Sequence, residues 1–221
     1  MAKIITGIEA AAMVKPKDRI MIGGFLVVGA PTHLIDCMVK RGTEDLHLIG
    51  ISTDYDQRGF GRLITSGQCR SVSLSYIGTH KLCMDLFTRG EMKIEFVPQG
   101  VLQERIRAAG AGLGGVFSPV GVGTQVAEGK ETLVEDGKTY LLEKPMHADF
   151  AFIRAHKADK YGNLRYRGTA MNSNPPMAMA GKITICEVDE IVEPGEIAPE
   201  DVHTPGIFVN YLVKRPEGME E

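Results

Sequence analysis

The chain has 221 residues, of which 43% are hydrophobic and 24% charged, with a formal net charge of −3. This is ordinary globular usage, enough for one domain (1–221) with an elaborated edge, and it excludes a disordered chain. A slightly acidic chain without tryptophan has no basic field for phosphate backbones and little to stack on bases, so no nucleic-acid partner is expected.

In chain order, Ile20–Ile22 and Phe25–Val28 read as an apolar strand broken by the pair Gly23-Gly24. Glycine weakens a strand, so the pair needs a reason. Pro31 suits the first turn of a helix, Leu34, Ile35, Met38 and Val39 make a stripe at helical spacing, and Gly42 is a stop. LHLIG (46–50) and SVSLSYIG (71–78) read as the next strands. A helix over about 80–89 ends at Gly90, IEFVP (94–98) is a fourth strand, and a helix carrying Leu102 and Ile106 follows.

Strands alternating with helices imply βαβ units and a mainly parallel open sheet flanked by helices. The second half changes character. In TLVEDGKTYLLE (132–143), Asp136-Gly137 lies between alternating runs, a strong hairpin signal and an antiparallel excursion from an α/β fold. ADFAFIRAH, NLRYRG and KITICEVDEIV read as further strands, with a short helix near 175–181.

Several motifs fail on context. GAGLGG (110–115) satisfies G-x-G-x-x-G, but a helix precedes it and Phe117-Ser118-Pro119 follows, so no dinucleotide turn is expected. GTQVAEGK (123–130) has one residue too many for a phosphate loop and puts Glu131 where Ser or Thr should bind magnesium. There is no G-x-S-x-G elbow, and the six histidines lack ligand spacing, so no metal is expected. Cys37, Cys69, Cys83 and Cys186 are scattered and read as reduced thiols of a cytoplasmic protein. No apolar stretch approaches the roughly 20 residues that span a bilayer, so no membrane partner is expected. No nucleophile is evident.

Gln99, in Pro98-Gln99-Gly100 at the C-terminal end of a strand, sits where open α/β sheets bind ligands. It is either a turn residue or a neutral donor to a developing oxyanion. The Gly23-Gly24 pair lies at the same edge, as a tight turn or as backbone that a ligand can approach closely.

The stretch Ile20 to Pro31 resembles the G-G-F-x-x-x-G-x-P signature found in the alpha chain of family I CoA-transferases. GFGRLITSGQ (59–68), FVPQGVLQERIRAAGAGLGG (96–115), YGNLRYRGTAMNSNPPMAMA (161–180) and HTPGIFVNYLV (203–213) continue the likeness in order. One departure is Pro16-Lys17, where the family usually has an acidic or amide residue followed by glycine.

The resemblance implies CoA exchange between a short-chain acyl-CoA and a free carboxylate, such as acetoacetate, butyrate or acetate, with no tightly bound cofactor. It implies that the nucleophilic glutamate comes from an E-x-G motif of a beta subunit, in an α2β2 assembly. It associates Gly23, Gly24, Phe25, Leu26, Val27, Val28 and Gly29 with CoA binding, and it makes Gln99 an oxyanion-hole donor. Glu135-Asp136-Gly137 also spells E-x-G but falls in the expected hairpin turn. A dicarboxylate (glutaconate-like) enzyme, for which Arg105, Arg107 or Arg154 could supply a cation, and a non-catalytic metabolite-binding protein remain as alternatives.

Overall fold

The computed structural model describes residues 1–219. In chain order, β1 (Lys3–Ile4) and α1 (Gly7–Met13) lead into β2 (Arg19–Ile22), α2 (Thr32–Arg41), β3 (Leu46–Ile49), α3 (Gly61–Thr65), β4 (Cys69–Leu74), α4 (Lys81–Thr88), β5 (Lys93–Phe96) and α5 (Gln99–Gly110). A small sheet of β6 (Val116–Ser118), β7 (Thr132–Glu135) and β8 (Lys138–Glu143) follows. Then come β9 (Ala148–Asp159), β10 (Leu164–Arg165), α6 (Asn174–Ala180), β11 (Gly181–Val192) and β12 (Tyr211–Lys214).

The main sheet runs β1-β12-β11-β9-β2-β3-β4-β5, parallel throughout, with the short β10 antiparallel to β9. The expected mainly parallel sheet with an antiparallel excursion is what forms. Alternate residues of the central strands feed two cores. Ile20, Leu48, Val72 and Phe152 join α1–α4 through Leu34, Met38, Leu63 and Cys83. Met21, Ile49, Ala151 and Ile153 join α5 and α6 through Leu102, Ile106 and Met177. A strand covered on both faces carries a continuous apolar run, which is why these strands are plain in sequence.

Local signals explain the helix ends. Thr6 and Glu9 make a reciprocal capping box on α1. Gly42, at φ 72°, takes the left-handed conformation that closes α2. The start of α2 has no cap of its own, because Pro31 offers none. The buried Glu187 carboxylate supplies it from β11, accepting the Leu34 amide at 3.0 Å.

Two expectations need correction. Phe25–Val28 is a tight turn beyond the end of β2. In NLRYRG only Leu164–Arg165 pair as a strand. The Pro16-Lys17 departure also acquires a meaning. Lys17 has φ 75°, a conformation glycine adopts freely, so the turn keeps its shape at a steric cost of about 1–2 kcal/mol.

Candidate functional site

Because the strands are parallel, the loops after β2, β3, β4 and β5 all emerge at one edge. Pro98 stands immediately before α5, and Gln99 is that helix's first residue. The Ser75 hydroxyl, just beyond β4, donates to Gln99 Oε1 at 2.6 Å. Phe25, Ile51, Ser75, Tyr76, Gln99 and Asn172 line a cavity of about 560 Å³ here, within the size range of ligand pockets. None of the six is a carboxylate, a cysteine or a histidine.

Phe25 brings the segment Gly23–Gly29 to this cavity, and the geometry of that segment is unusual. Phe25 and Val28 exchange both backbone hydrogen bonds at 3.1 Å. Leu26 and Val27 lie between them at φ 47° and 75°. Positive φ at both central positions is normally the territory of Asn-Gly. A leucine and a β-branched valine there cost on the order of 1–3 kcal/mol each, so surrounding contacts must impose the turn.

Those contacts come from two sides. On one side, the buried Asp54 carboxyl accepts from the Leu26 and Val27 amides, from the Phe60 amide at 3.0 Å and from the Ser52 hydroxyl at 3.1 Å. Burial pushes the Asp54 pKa up, and these hydrogen bonds oppose it. On the other side, Asn172 Oδ1 accepts the Gly24 amide at 3.2 Å while its Nδ2 donates to the Val28 carbonyl at 3.0 Å. Asn174, fully buried, donates to the Gly29 and Ala170 carbonyls at 3.1 and 2.8 Å and accepts the Arg154 amide at 3.1 Å.

This packing answers why the glycines are there. A Cβ on Gly23 would lie 1.9 Å from Asn174 Oδ1, and one on Gly29 would lie 2.4 Å from the Ala170 carbonyl oxygen. Gly24 has φ 105°, and a Cβ there would meet the Ala30 backbone at 2.8 Å. The space left by the missing side chains is filled by this chain's own 170–174 segment at Gly23 and Gly29 and by Ala30 at Gly24. What the loop offers to the outside is Phe25 and Val28, 43% and 38% exposed, with Leu26 half-buried.

Of the residues singled out in sequence, Gln99 and Phe25 therefore meet across one cavity, with Gly23, Gly24, Val27 and Gly29 forming the buried frame behind Phe25. Val28 faces a second cavity of about 400 Å³, lined also by Arg154, His156, Arg167 and Asp189. Arg154 pairs there with Asp189 at 3.0 Å. Arg105 bonds Glu95 and the Lys144 carbonyl, and Arg107 bonds Glu104, so none of the three arginines borders the Gln99 cavity. Glu135 is an exposed end residue of β7, beside a turn whose Asp136 and Gly137 have φ 51° and 73°.

Sequence reading missed Asp54, Ser75, Asn172 and Asn174. The two asparagines lie in MNSNPP, about 150 residues from the glycines they hold, and no local pattern links the two segments.

Comparison with known proteins agrees with this architecture. Residues 4–215 match the family model described as Coenzyme A transferase. The chain is 45% identical over 215 residues to the alpha chain of the acetate CoA-transferase of Escherichia coli K12, covering 97% of this chain and 98% of that one. It is 47% identical over 198 residues to the corresponding chain of the 3-oxoadipate CoA-transferase of Pseudomonas putida, covering 89% and 86%. Among solved structures, an acyl-CoA transferase from Escherichia coli O157:H7 superposes with a TM-score of 0.87 at 24% identity, covering 99% of this chain and 48% of that one. Glutaconate coenzyme A-transferase from Acidaminococcus fermentans gives 0.85 at 23% identity, covering 98% and 77%. At such identities the structural likeness shows the fold, while the sequence match over nearly the whole chain shows the kinship: this protein belongs to the coenzyme A transferase family, on its alpha-chain side.

Proposed function

We propose that this chain is the alpha half of an α2β2 cytoplasmic enzyme that moves CoA between a short-chain acyl-CoA and a free carboxylic acid. In this reading the partner's glutamate attacks the thioester carbonyl, and the Gln99 amide donates to the oxyanion that develops there. Phe25, held out by the buried glycine frame, is the wall facing Gln99 against which the thioester lies, and Leu26 and Val28 extend that surface for the rest of the CoA.

The observation that carries the reading is the Gln99 cavity itself. It presents a neutral amide among apolar walls at the carboxyl edge of the strands, yet its lining holds no carboxylate to attack a thioester. The missing nucleophile fits a second subunit. Some relatives carry the matching unit within a much longer chain: the Rattus norvegicus succinyl-CoA:3-ketoacid coenzyme A transferase 2A is matched over 44% of its length.

The choice of acids such as acetoacetate, butyrate and acetate is supported by the 45% identity to an acetate CoA-transferase chain over nearly the whole length.

The experiment is to assay CoA transfer from acetoacetyl-CoA to acetate with the purified chain, with and without a cognate beta subunit. Activity is expected only in the mixture, and full activity of the chain alone refutes the two-subunit reading. Within the assembled enzyme, Gln99→Ala removes one oxyanion donor, a loss of about 2.7–4 kcal/mol, so kcat should fall about a hundredfold or more. Unchanged turnover removes Gln99 from the mechanism. A metabolite-binding protein without catalysis would bind CoA ligands yet show no transfer in any mixture.

A further inference from the structure

A glutamine is an ambiguous oxyanion donor, because its terminal amide can rotate. The torsion is broad and roughly two-fold, so little in the side chain itself decides whether oxygen or nitrogen faces the ligand. If Oε1 faced the cavity, it would repel developing negative charge. A residue that binds the amide from behind therefore decides whether Gln99 assists the reaction or opposes it.

Ser75 occupies that place. Its backbone amide donates to the Ile51 carbonyl at 3.1 Å, which ties the end of β4 to the segment after β3. Its Oγ lies 2.7 Å from the same carbonyl and 2.6 Å from Gln99 Oε1. A hydroxyl has one proton to give. The Ile51 carbonyl already accepts the Ser75 amide, whereas among the described residues no other donor reaches Gln99 Oε1. The proton satisfies more on Oε1, and placed there it leaves the Gln99 nitrogen with both hydrogens to offer. Ser75 and Gln99 both border the 560 Å³ cavity, so the nitrogen freed in this way has a ligand space to face.

We propose that Ser75 is a positioning residue for the transfer reaction: its hydroxyl holds the Gln99 side-chain carbonyl and thereby turns the amide nitrogen toward the reacting carbonyl. This rests on the role assigned to Gln99 above. Ser75 need not touch the substrate to act. Its effect is on the fraction of enzyme whose amide faces the right way when charge develops, so it belongs to kcat more than to substrate affinity.

The test uses the chain reconstituted with its beta subunit, with acetoacetyl-CoA and acetate as substrates. Ser75→Ala keeps the backbone bond to Ile51, and an unchanged melting midpoint confirms that the fold is intact. Its kcat should fall roughly tenfold or more, equivalent to about 1.4 kcal/mol, while KM for acetoacetyl-CoA stays within about twofold. Ser75→Thr retains the hydroxyl at a position that borders the cavity and should recover most of the lost turnover. Ser75→Ala added to Gln99→Ala should cost nothing further, because the group being positioned is gone.

The assignment is overturned if Ser75→Ala keeps wild-type kcat, if Ser75→Thr fails to restore it, or if the two alanine variants multiply independently. A wild-type complex that transfers no CoA overturns the parent reading and this one with it. A slow Gln99→Ala enzyme beside an unimpaired Ser75→Ala enzyme overturns the Ser75 role alone.

Discussion

Gly23→Ala separates two explanations of the glycine pair. If the position is bare so that a ligand can approach, the substitution should disturb substrate binding and leave the fold alone. The structure points to the opposite outcome. The Gly23 amide donates to the Phe152 carbonyl at 2.9 Å, which fixes the backbone against β9. The new Cβ would sit 1.9 Å from Asn174 Oδ1 and 2.8 Å from its Cγ, so Asn174 must give way. In moving, it would surrender its bonds to the Arg154 amide and to the Gly29 and Ala170 carbonyls. At about 1 kcal/mol each, those three bonds amount to about 3 kcal/mol. For a chain of this size, that lowers the melting midpoint by about 6–12 °C. Thermal unfolding followed by far-UV circular dichroism measures it. Asn174→Ala should destabilise comparably, and adding Gly23→Ala to it should cost little more, since the clashing atoms are gone. A Gly23→Ala protein that melts like wild type while its KM for acyl-CoA rises would refute the packing explanation.

Other consequences are open to direct measurement. Burial raises the Glu187 pKa to about 7, against hydrogen bonding from Leu34 and the charges of Arg154 and Arg215. Between the ordinary value of 4.5 and about 7 the folded state keeps a proton that the unfolded chain has released. The stability from this group is therefore full below pH 4.5 and is lost as pH rises through 7. Denaturant titrations across that window should show a falling stability that Glu187→Gln flattens. The four cysteines are all buried, with burial raising Cys69 to about 12 and Cys83 to about 11. A thiol reagent should label them only after denaturant is added, and rapid labelling of the native protein would contradict the structure. Lys17→Gly should raise stability by up to about 1 kcal/mol by removing left-handed strain, less the extra freedom glycine gives the unfolded chain. A lower denaturation midpoint would show that the lysine turn is not strained.

The sheet was legible because its central strands are buried on both faces and so are spelled as unbroken apolar runs. The Asp136-Gly137 hairpin was legible because its two positive φ angles are set by the residues that sit there. The turn at Leu26-Val27 has the same handedness and was misread, for the converse reason. Leucine and valine are ordinary strand residues, and their left-handed conformation is imposed from outside by Asp54 and Asn172. β1 and β12 are short strands at one end of the sheet, β1 pairing, among the described residues, only with β12 and β12 also with β11, too little for a local pattern. At the site, Gln99 could be singled out because it follows Pro98 at a strand end. Ser75 could not, since its meaning comes from β4 and α5 arriving side by side.

The strand order has a kinetic side as well. β2, near the start of the chain, lies between β3 and β9, and its neighbour across the sheet begins 130 residues later, where the Arg19 amide meets Asp149. A nascent chain emerging from the ribosome must therefore carry β2 with one flank unpaired until β9 has been made. Long-range parallel pairing of this kind folds slowly and exposes hydrogen-bonding edges meanwhile. Pulse-labelling hydrogen exchange during refolding should find the β2 amides protected in step with those of β9 and later than those of the α5 helix. Protection of β2 in a chain truncated before residue 148 would refute that order.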